Sequence, residues 1–231
     1  PKVRAALYEA LNQEDFLQAV IGDSKYYKVC KAMFICGSPL ASEEGMKDKL
    51  ESNVNKAKEM LNEAGYDGTP VVLLHSTDLQ VLTNLAPVAK SLMEKAGFKV
   101  DMQSSDWQSV VTRRVKKDAP SAGGWNAMLT SWVAADVLNP VSTSFINASC
   151  DKANFGWPCD ETFEGLRKAW ALAPDLEKRK EIAVDLSKRA YEQVPYISFA
   201  QWNNPSAYRS DRLTGVLQAP SLPPMWNIEK K

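Results

Sequence analysis

Between Pro70 and Trp132 the chain alternates short apolar runs with amphipathic stretches, and this order limits the possible folds more than any other feature of the sequence. Residues 70–75 (PVVLLH) read as a strand buried on both faces, because the apolar run is continuous rather than alternating. Residues 80–96 read as a helix stopped by Gly97, with Pro87 expected to kink it through the ladder bond it cannot make. Residues 98–103 (FKVDMQ) alternate with period two and give a second strand. Asp106 stands where an N-cap belongs for a helix through Lys117. Gly123 and Gly124 then break the chain, and residues 127–132 (AMLTSW) supply a third strand. The order β-α-β-α-β predicts an α/β fold, a parallel or mixed sheet flanked by helices with right-handed crossovers.

Helical spacing also appears over residues 3–11 and 14–21, before an irregular stretch from Gly22 to Gly45. Residues 46–64 read as a further helix, with Ala57, Met60, Leu61 and Ala64 on one face and Gly65 as its stop. Asp160 and Asp175 head two more helices, whose stripes are Phe163, Leu166, Trp170 and Ala173, then Ile182, Leu186 and Ala190. Residues 196–200 read as a strand, followed by a turn-rich stretch holding Pro205, Gly215, Pro220, Pro223 and Pro224. The chain opens in mid-helix without Met, as expected of a piece of a longer protein.

Twenty-eight basic and 28 acidic residues leave no net field to draw in nucleic acid or an anionic membrane. Apolar runs are far shorter than the roughly 20 residues a membrane-crossing helix needs. Cys30 with Cys36, and Cys150 with Cys159, are close pairs in loop-like stretches, which favours two disulfides in an oxidising compartment over free thiols. Zinc is disfavoured because neither spacing is C-x2-C and the single histidine, His75, lies far from both pairs. One histidine and no assembled nucleophile also leave little for a hydrolase to work with.

In an open parallel sheet, ligands meet the loops that leave the carboxyl ends of the strands. Here those ends deliver His75, Ser76, Thr77 and Asp78, then Ser104, Ser105 and Asp106, then Trp132 through Asp136. His75, Asp78, Asp106, Trp132 and Asp136 are therefore the candidate binding residues, for a polar solute with an apolar part. Each has a plainer role available. Asp78 and Asp106 can cap helices, His75 can be a hydrogen-bonded core residue, Trp132 can be core, and Asp136 can cap a short helix over 139–146. Arg113, Arg114, Lys116 and Lys117 form a basic run whose simplest reading is a solvated helix face.

Five stretches, in order, resemble segments of the family 5 extracellular solute-binding proteins of bacterial ABC importers, which bind dipeptides, oligopeptides or nickel. They are VRAALYEALNQEDFLQAVIG, AKEMLNEAGYDG, LAPVAKSLMEKAGFKVDMQSSDWQSVVTRR, TSWVAADVLNP and VPYISFAQWNNPSAYRSDRLTGV. The resemblance implies a periplasmic-binding-protein-like lobe: residues 1–193 as the C-terminal α/β lobe of a two-lobe protein, and 194–231 as a return segment that belongs with an N-terminal lobe outside this sequence. It implies capture of a solute by hinge closure and delivery to permease subunits, in a periplasmic or extracellular protein, free or lipid-anchored, without enzymatic activity, cofactor or metal. A sensor presenting its solute to a receptor is the alternative. Family members hold a peptide amino group with an Asp after the cleft Trp, and Asp136 matches that position, one residue later than in dipeptide binders. The carboxylate-binding Arg of dipeptide binders falls near Ser76, where this chain has none. A longer peptide or another amine-bearing solute is therefore expected.

Overall fold

A computed structural model describes residues 1–198, 201–217 and 224–231. Two amphipathic helices open it, α1 (Lys2–Ala10) and α2 (Gln13–Val20). Asn12 caps α2 by accepting from the Glu14 and Asp15 amides, and those two acids sit where the positive end of the helix dipole favours them. A short strand β1 (Tyr27–Lys28) and helix α3 (Val54–Glu63) follow.

The helix expected over 46–64 begins only at Val54. Upstream, Asp48, Leu50 and Ser52 take left-handed backbone angles, with φ of 59°, 59° and 60°. Tertiary bonds hold them there. Leu50 N–H donates to the Tyr8 carbonyl at 2.6 Å, Ser52 N–H to that of Leu11 at 3.1 Å, and the Leu50 carbonyl accepts from Gln13 N–H at 3.1 Å. The Ala57 and Leu61 stripe is buried as expected. Glu9, whose side chain is wholly buried, accepts from Lys49 and Lys56 at 2.5 and 3.0 Å and so ties α1 to this segment and to α3.

The sheet comprises β2 (Val71–Ser76), β3 (Val100–Ser105) and β4 (Ala127–Met128), in the order β3-β2-β4 and all parallel. Its centre is β2, buried from Val72 to Ser76 as its unbroken apolar run predicts. Val71 pairs Val100, Ser76 pairs Ser105, and Leu73 pairs Ala127, so the three carboxyl ends share one edge. The third strand keeps two of its six expected residues.

The helix expected over 80–96 is two helices, α4 (Gln80–Thr83) and α5 (Leu85–Lys95), parted at Asn84. Pro87 is the cause. It has no N–H for the Thr83 carbonyl, so it fits the first turn of α5, where that group has no intrahelical partner in any case. Helix α6 (Trp107–Arg113) is four residues shorter than expected, and its N-cap is Asp106.

Asp160 and Asp175 cap α7 (Glu161–Leu172) and α8 (Leu176–Gln193) through the amides of Phe163 and Lys178. This helical hairpin buries Phe163, Ile182, Leu186 and Ala190 against Met33, Phe34 and Ile146. A second cluster joins α1, α2, α3, α5 and β2 through Tyr8, Phe16, Leu61, Leu73, Leu85 and Leu92. Tyr191 packs against both clusters. Both expected disulfides are present, Cys30–Cys36 and Cys150–Cys159.

Tyr196–Ser198 lack the expected strand pairing because side chains hold them instead. Tyr196 Oη donates to the Met33 carbonyl at 3.0 Å, and Gln13 Nε2 donates to that of Ser198 at 3.0 Å. The rest of that expected strand, residues 199–200, lies outside the described residues, as do Pro220 and Pro223 of the turn-rich stretch. Beyond it, β5 (Gln201–Trp202) pairs antiparallel with β1, while β6 (Leu213–Thr214) and β7 (Glu229–Lys230) pair with each other.

Candidate functional site

The carboxyl edge of the sheet holds two groups of residues in different states. In the first, the valences are largely closed within the protein. His75 is buried, and its Nε2 lies 2.9 Å from the Thr83 carbonyl while Nδ1 lies 2.9 Å from Ser104 Oγ. A carbonyl only accepts, so the Nε2 proton is committed to Thr83 and the ring is a structural link between β2, β3 and α4. Asp106 caps α6, accepting from the Ser109 amide at 2.9 Å and its hydroxyl at 2.6 Å. Those two bonds hold the Asp106 carboxyl below the ordinary aspartate range.

Asp78 does not cap the helix that follows it, since the N-cap of α4 is Leu79. Asp78 Oδ1 instead accepts from the first amide of α6, Trp107 N–H, at 2.7 Å, and from Ser76 Oγ at 3.2 Å. It thereby joins the loop after β2 to the loop after β3. His75, Asp78 and Asp106 thus each brace this edge through separate bonds, and the two carboxylates remain at the surface.

The second group follows β4. Trp132 is 44% exposed, and its ring meets Phe145 edge to face at 4.8 Å. Phe145 lies 5.3 Å from Tyr196, whose hydroxyl burial holds well above its ordinary pKa. Asp136 sits on a single 3-10 turn, Ala134–Val137, and its amide donates to the Val133 carbonyl at 3.0 Å. Of the short helix it was expected to cap, only a 3-10 turn at Ser144–Ile146 forms, and its N-cap is Thr143. Asn139 accepts from the Val141 and Ser142 amides at 2.9 and 3.0 Å. The Asp136 carboxylate is exposed and has no hydrogen-bond or ion-pair partner among the described residues. Around it Val133, Leu138 and Val141 are also exposed.

No hydrogen bond, ion pair or ring contact among the described residues joins Trp132 or Asp136 to His75, Asp78 or Asp106. The two groups follow strands whose carboxyl ends share one edge, and they are not one bonded constellation. Two surface recesses, one beside Lys31, Glu43 and Glu51 and another beside Lys90, Glu94 and Met102, include none of the five candidates. Among the described residues no group of three or more His, Cys, Asp or Glu side chains converges to hold a metal ion.

The basic run differs from its simplest reading. Arg113 Nε and Nη2 donate to the Gly123 and Gly124 carbonyls at 2.9 and 2.8 Å, fixing the turn before β4. Arg114 lies between two rings, 5.7 Å from Trp107 and 4.6 Å from Phe155, and Lys117 stands 5.1 Å over Trp157. Phe155 and Trp157 both belong to the loop closed by Cys150–Cys159. The seven-residue spacing of Trp107 and Arg114, two turns along one helix face, is the one signal in the sequence that points to part of this arrangement.

Residues 1–155 match the family model described as "Bacterial extracellular solute-binding proteins, family 5 Middle". Over 230 residues, 99% of the chain, it is 33% identical to a probable peptide ABC transporter periplasmic-binding protein, y4tO, of Sinorhizobium fredii, and it spans 43% of that protein. Among solved structures, a dipeptide-binding protein of Pseudoalteromonas sp. SM9913 in complex with Met-Leu superposes with a TM-score of 0.75 at 19% identity, covering 100% of this chain and 45% of that one. The oligopeptide-binding protein AppA of Bacillus subtilis, in complex with a nonapeptide, gives a TM-score of 0.67 at 22% identity, covering 87% and 41%. These structures share its fold. The chain belongs to the family 5 bacterial extracellular solute-binding proteins. It spans less than half the length of the curated relatives it matches.

Proposed function

We propose that this chain forms one wall of the solute cleft in a binding protein that serves an ABC importer outside the cytoplasmic membrane. The observation that carries the reading is the unpartnered Asp136 carboxylate, set among exposed apolar side chains beside the half-exposed Trp132 at the carboxyl edge of a parallel sheet. A carboxylate of this kind suits an ammonium group, and the surrounding Trp132, Val133 and Leu138 suit an apolar neighbour on the same solute. The solute class is a peptide or another amine-bearing molecule. Asp136 accepts its cation, Trp132 packs against it, and Asp78 contributes its free Oδ2 at the margin, with Asp106, whose two oxygens both accept from Ser109, adding only its remaining lone pairs. His75 braces the edge from below.

Residues 1–193 constitute the lobe and 194–231 the return toward a second lobe, whose closure about a hinge traps the solute. The exposed Met225 and Trp226, beside strands β6 and β7 that among the described residues pair only with each other, support an assignment of the return segment to contacts outside this chain. Delivery is to permease subunits, and the protein is periplasmic or extracellular, free or lipid-anchored. Mass spectrometry of whatever co-purifies with the full-length protein tests the reading. A peptide or amine supports it, and a solute without a cationic group counts against it.

A further inference from the structure

Arg114 follows the last residue of α6 and differs from its neighbour in what its charge meets. Arg113 is used up on two glycine carbonyls, whereas Arg114 Nε is buried and without an acceptor, and no carboxylate pairs with its guanidinium among the described residues. Trp107 and Phe155 flank that guanidinium at 5.7 and 4.6 Å. Aromatic faces hold a guanidinium in place and strip much of its water without satisfying its N–H groups. Of these donors only Nε is buried, so the Nη groups, which have no acceptor among the described residues, are the ones an arriving acceptor can reach.

The clamp lies beside the edge already described. Trp107 is the residue whose amide donates to Asp78, and a helical side chain leans toward the N-terminus, so Arg114 reaches back over Trp107 toward that edge. The planar fork of a guanidinium matches the two oxygens of a carboxylate, with charge-assisted bonds to each. Asp78 and Asp106 are the nearby acids, and both are already engaged with the start of α6. We infer that Arg114, clamped between Trp107 and Phe155, is a receptor for a carboxylate group of the bound solute. This rests on the reading of the sheet edge as a solute cleft. It gives the chain a carboxylate partner away from Ser76.

Two probes on the full-length protein test it. Sodium acetate, the bare carboxylate, is titrated into protein labelled with 5-fluorotryptophan, with sodium chloride at equal ionic strength as the control. The Trp107 fluorine resonance, assigned with Trp107→Phe, is expected to move saturably with acetate and not with chloride. The shift is expected to vanish in Arg114→Gln and to need several-fold more acetate in Arg114→Lys. Tetra-alanine and its C-terminal amide are then compared by calorimetry, the acid binding at least about tenfold more tightly, a ratio that collapses toward one in Arg114→Gln. An absent acetate shift, or equal affinity for acid and amide in the unaltered protein, overturns the inference. If acetate moves Trp107 while neither peptide binds, the carboxylate site stands and the peptide reading fails.

Discussion

His75 Nε2–H donates to the Thr83 carbonyl at 2.9 Å, and Thr83 is the residue whose helical partner four positions on is Pro87. The proline leaves a carbonyl unclaimed, the histidine claims it from the central strand, and the α4–α5 break is thereby fixed to the sheet. Ser104 Oγ, 2.9 Å from Nδ1, extends the link to β3. His75→Ala is therefore expected to cost about 2–4 kcal/mol, from lost burial and from two polar groups left without their partner. Urea denaturation checks this. Solute affinity is expected to hold wherever the variant remains folded.

Glu9 gives a pH dependence. Burial pushes its carboxyl up, but the bonds from Lys49 and Lys56 outweigh that and hold the pKa below the ordinary 4.5. A depressed carboxyl pKa adds stability that is present above the unfolded value and is lost as pH falls through the folded one. Glu9→Gln is expected to cost about 1–3 kcal/mol at pH 7 and progressively less as pH drops below 4.5. Denaturation midpoints at pH 7 and pH 3 measure the difference, and an equal cost at both would remove the ion pairs as its source.

The second disulfide holds more than its own loop. With Cys150 and Cys159 nine positions apart in sequence, the closed loop accounts for roughly 2–3 kcal/mol by chain entropy. The same loop carries Phe155 onto Arg114, and Trp157 and Asp151 onto Lys117. Replacing both cysteines with serine is expected to lower the melting temperature and to redshift tryptophan emission as Trp157 gains water. A fall in melting temperature with unchanged emission would confine the effect to chain entropy.

Asp160 combines two duties. It caps α7 through the Phe163 amide at 2.9 Å and pairs with Arg189 of α8 at 2.7 Å. Asp160→Ala is expected to cost about 2–3 kcal/mol, and Asp160→Asn, which keeps the cap and loses the charge, about half of that. Chemical denaturation of the two variants separates the contributions.

What the sequence makes legible follows from how local each cause is. The caps Asp106, Asp160 and Asp175 depend on amides three residues away, and the β2 strand declares itself by an unbroken apolar run. Parallel pairing follows from the β-α-β-α-β order. The segment before α3 is opaque because its left-handed residues are held by Tyr8, Leu11 and Gln13, some 40 positions earlier. The return segment pairs with β1 and hangs on Gln13 and Met33, contacts that no periodicity encodes. At the site, the strand-end rule selects all five candidates, yet the division between bonded side chains and an open carboxylate emerges only from coordinates. Asp78 reads as the cap of its own helix and serves the next one. Phe145 and Tyr196, which back Trp132, are distant from it in the chain and carry no motif.

The central claim is that Asp136 holds the cation of a captured solute. It is tested most directly by calorimetry of the full-length protein and its Asp136→Asn variant against the solute that co-purifies. Asp136 has no partner among the described residues to lose, so the melting temperature of the free variant is expected to stay unchanged while affinity falls about 10- to 100-fold. N-acetylation of the solute is expected to weaken the unaltered protein by a similar factor and the variant hardly at all. Equal affinity of the two proteins for the free amine would contradict the account.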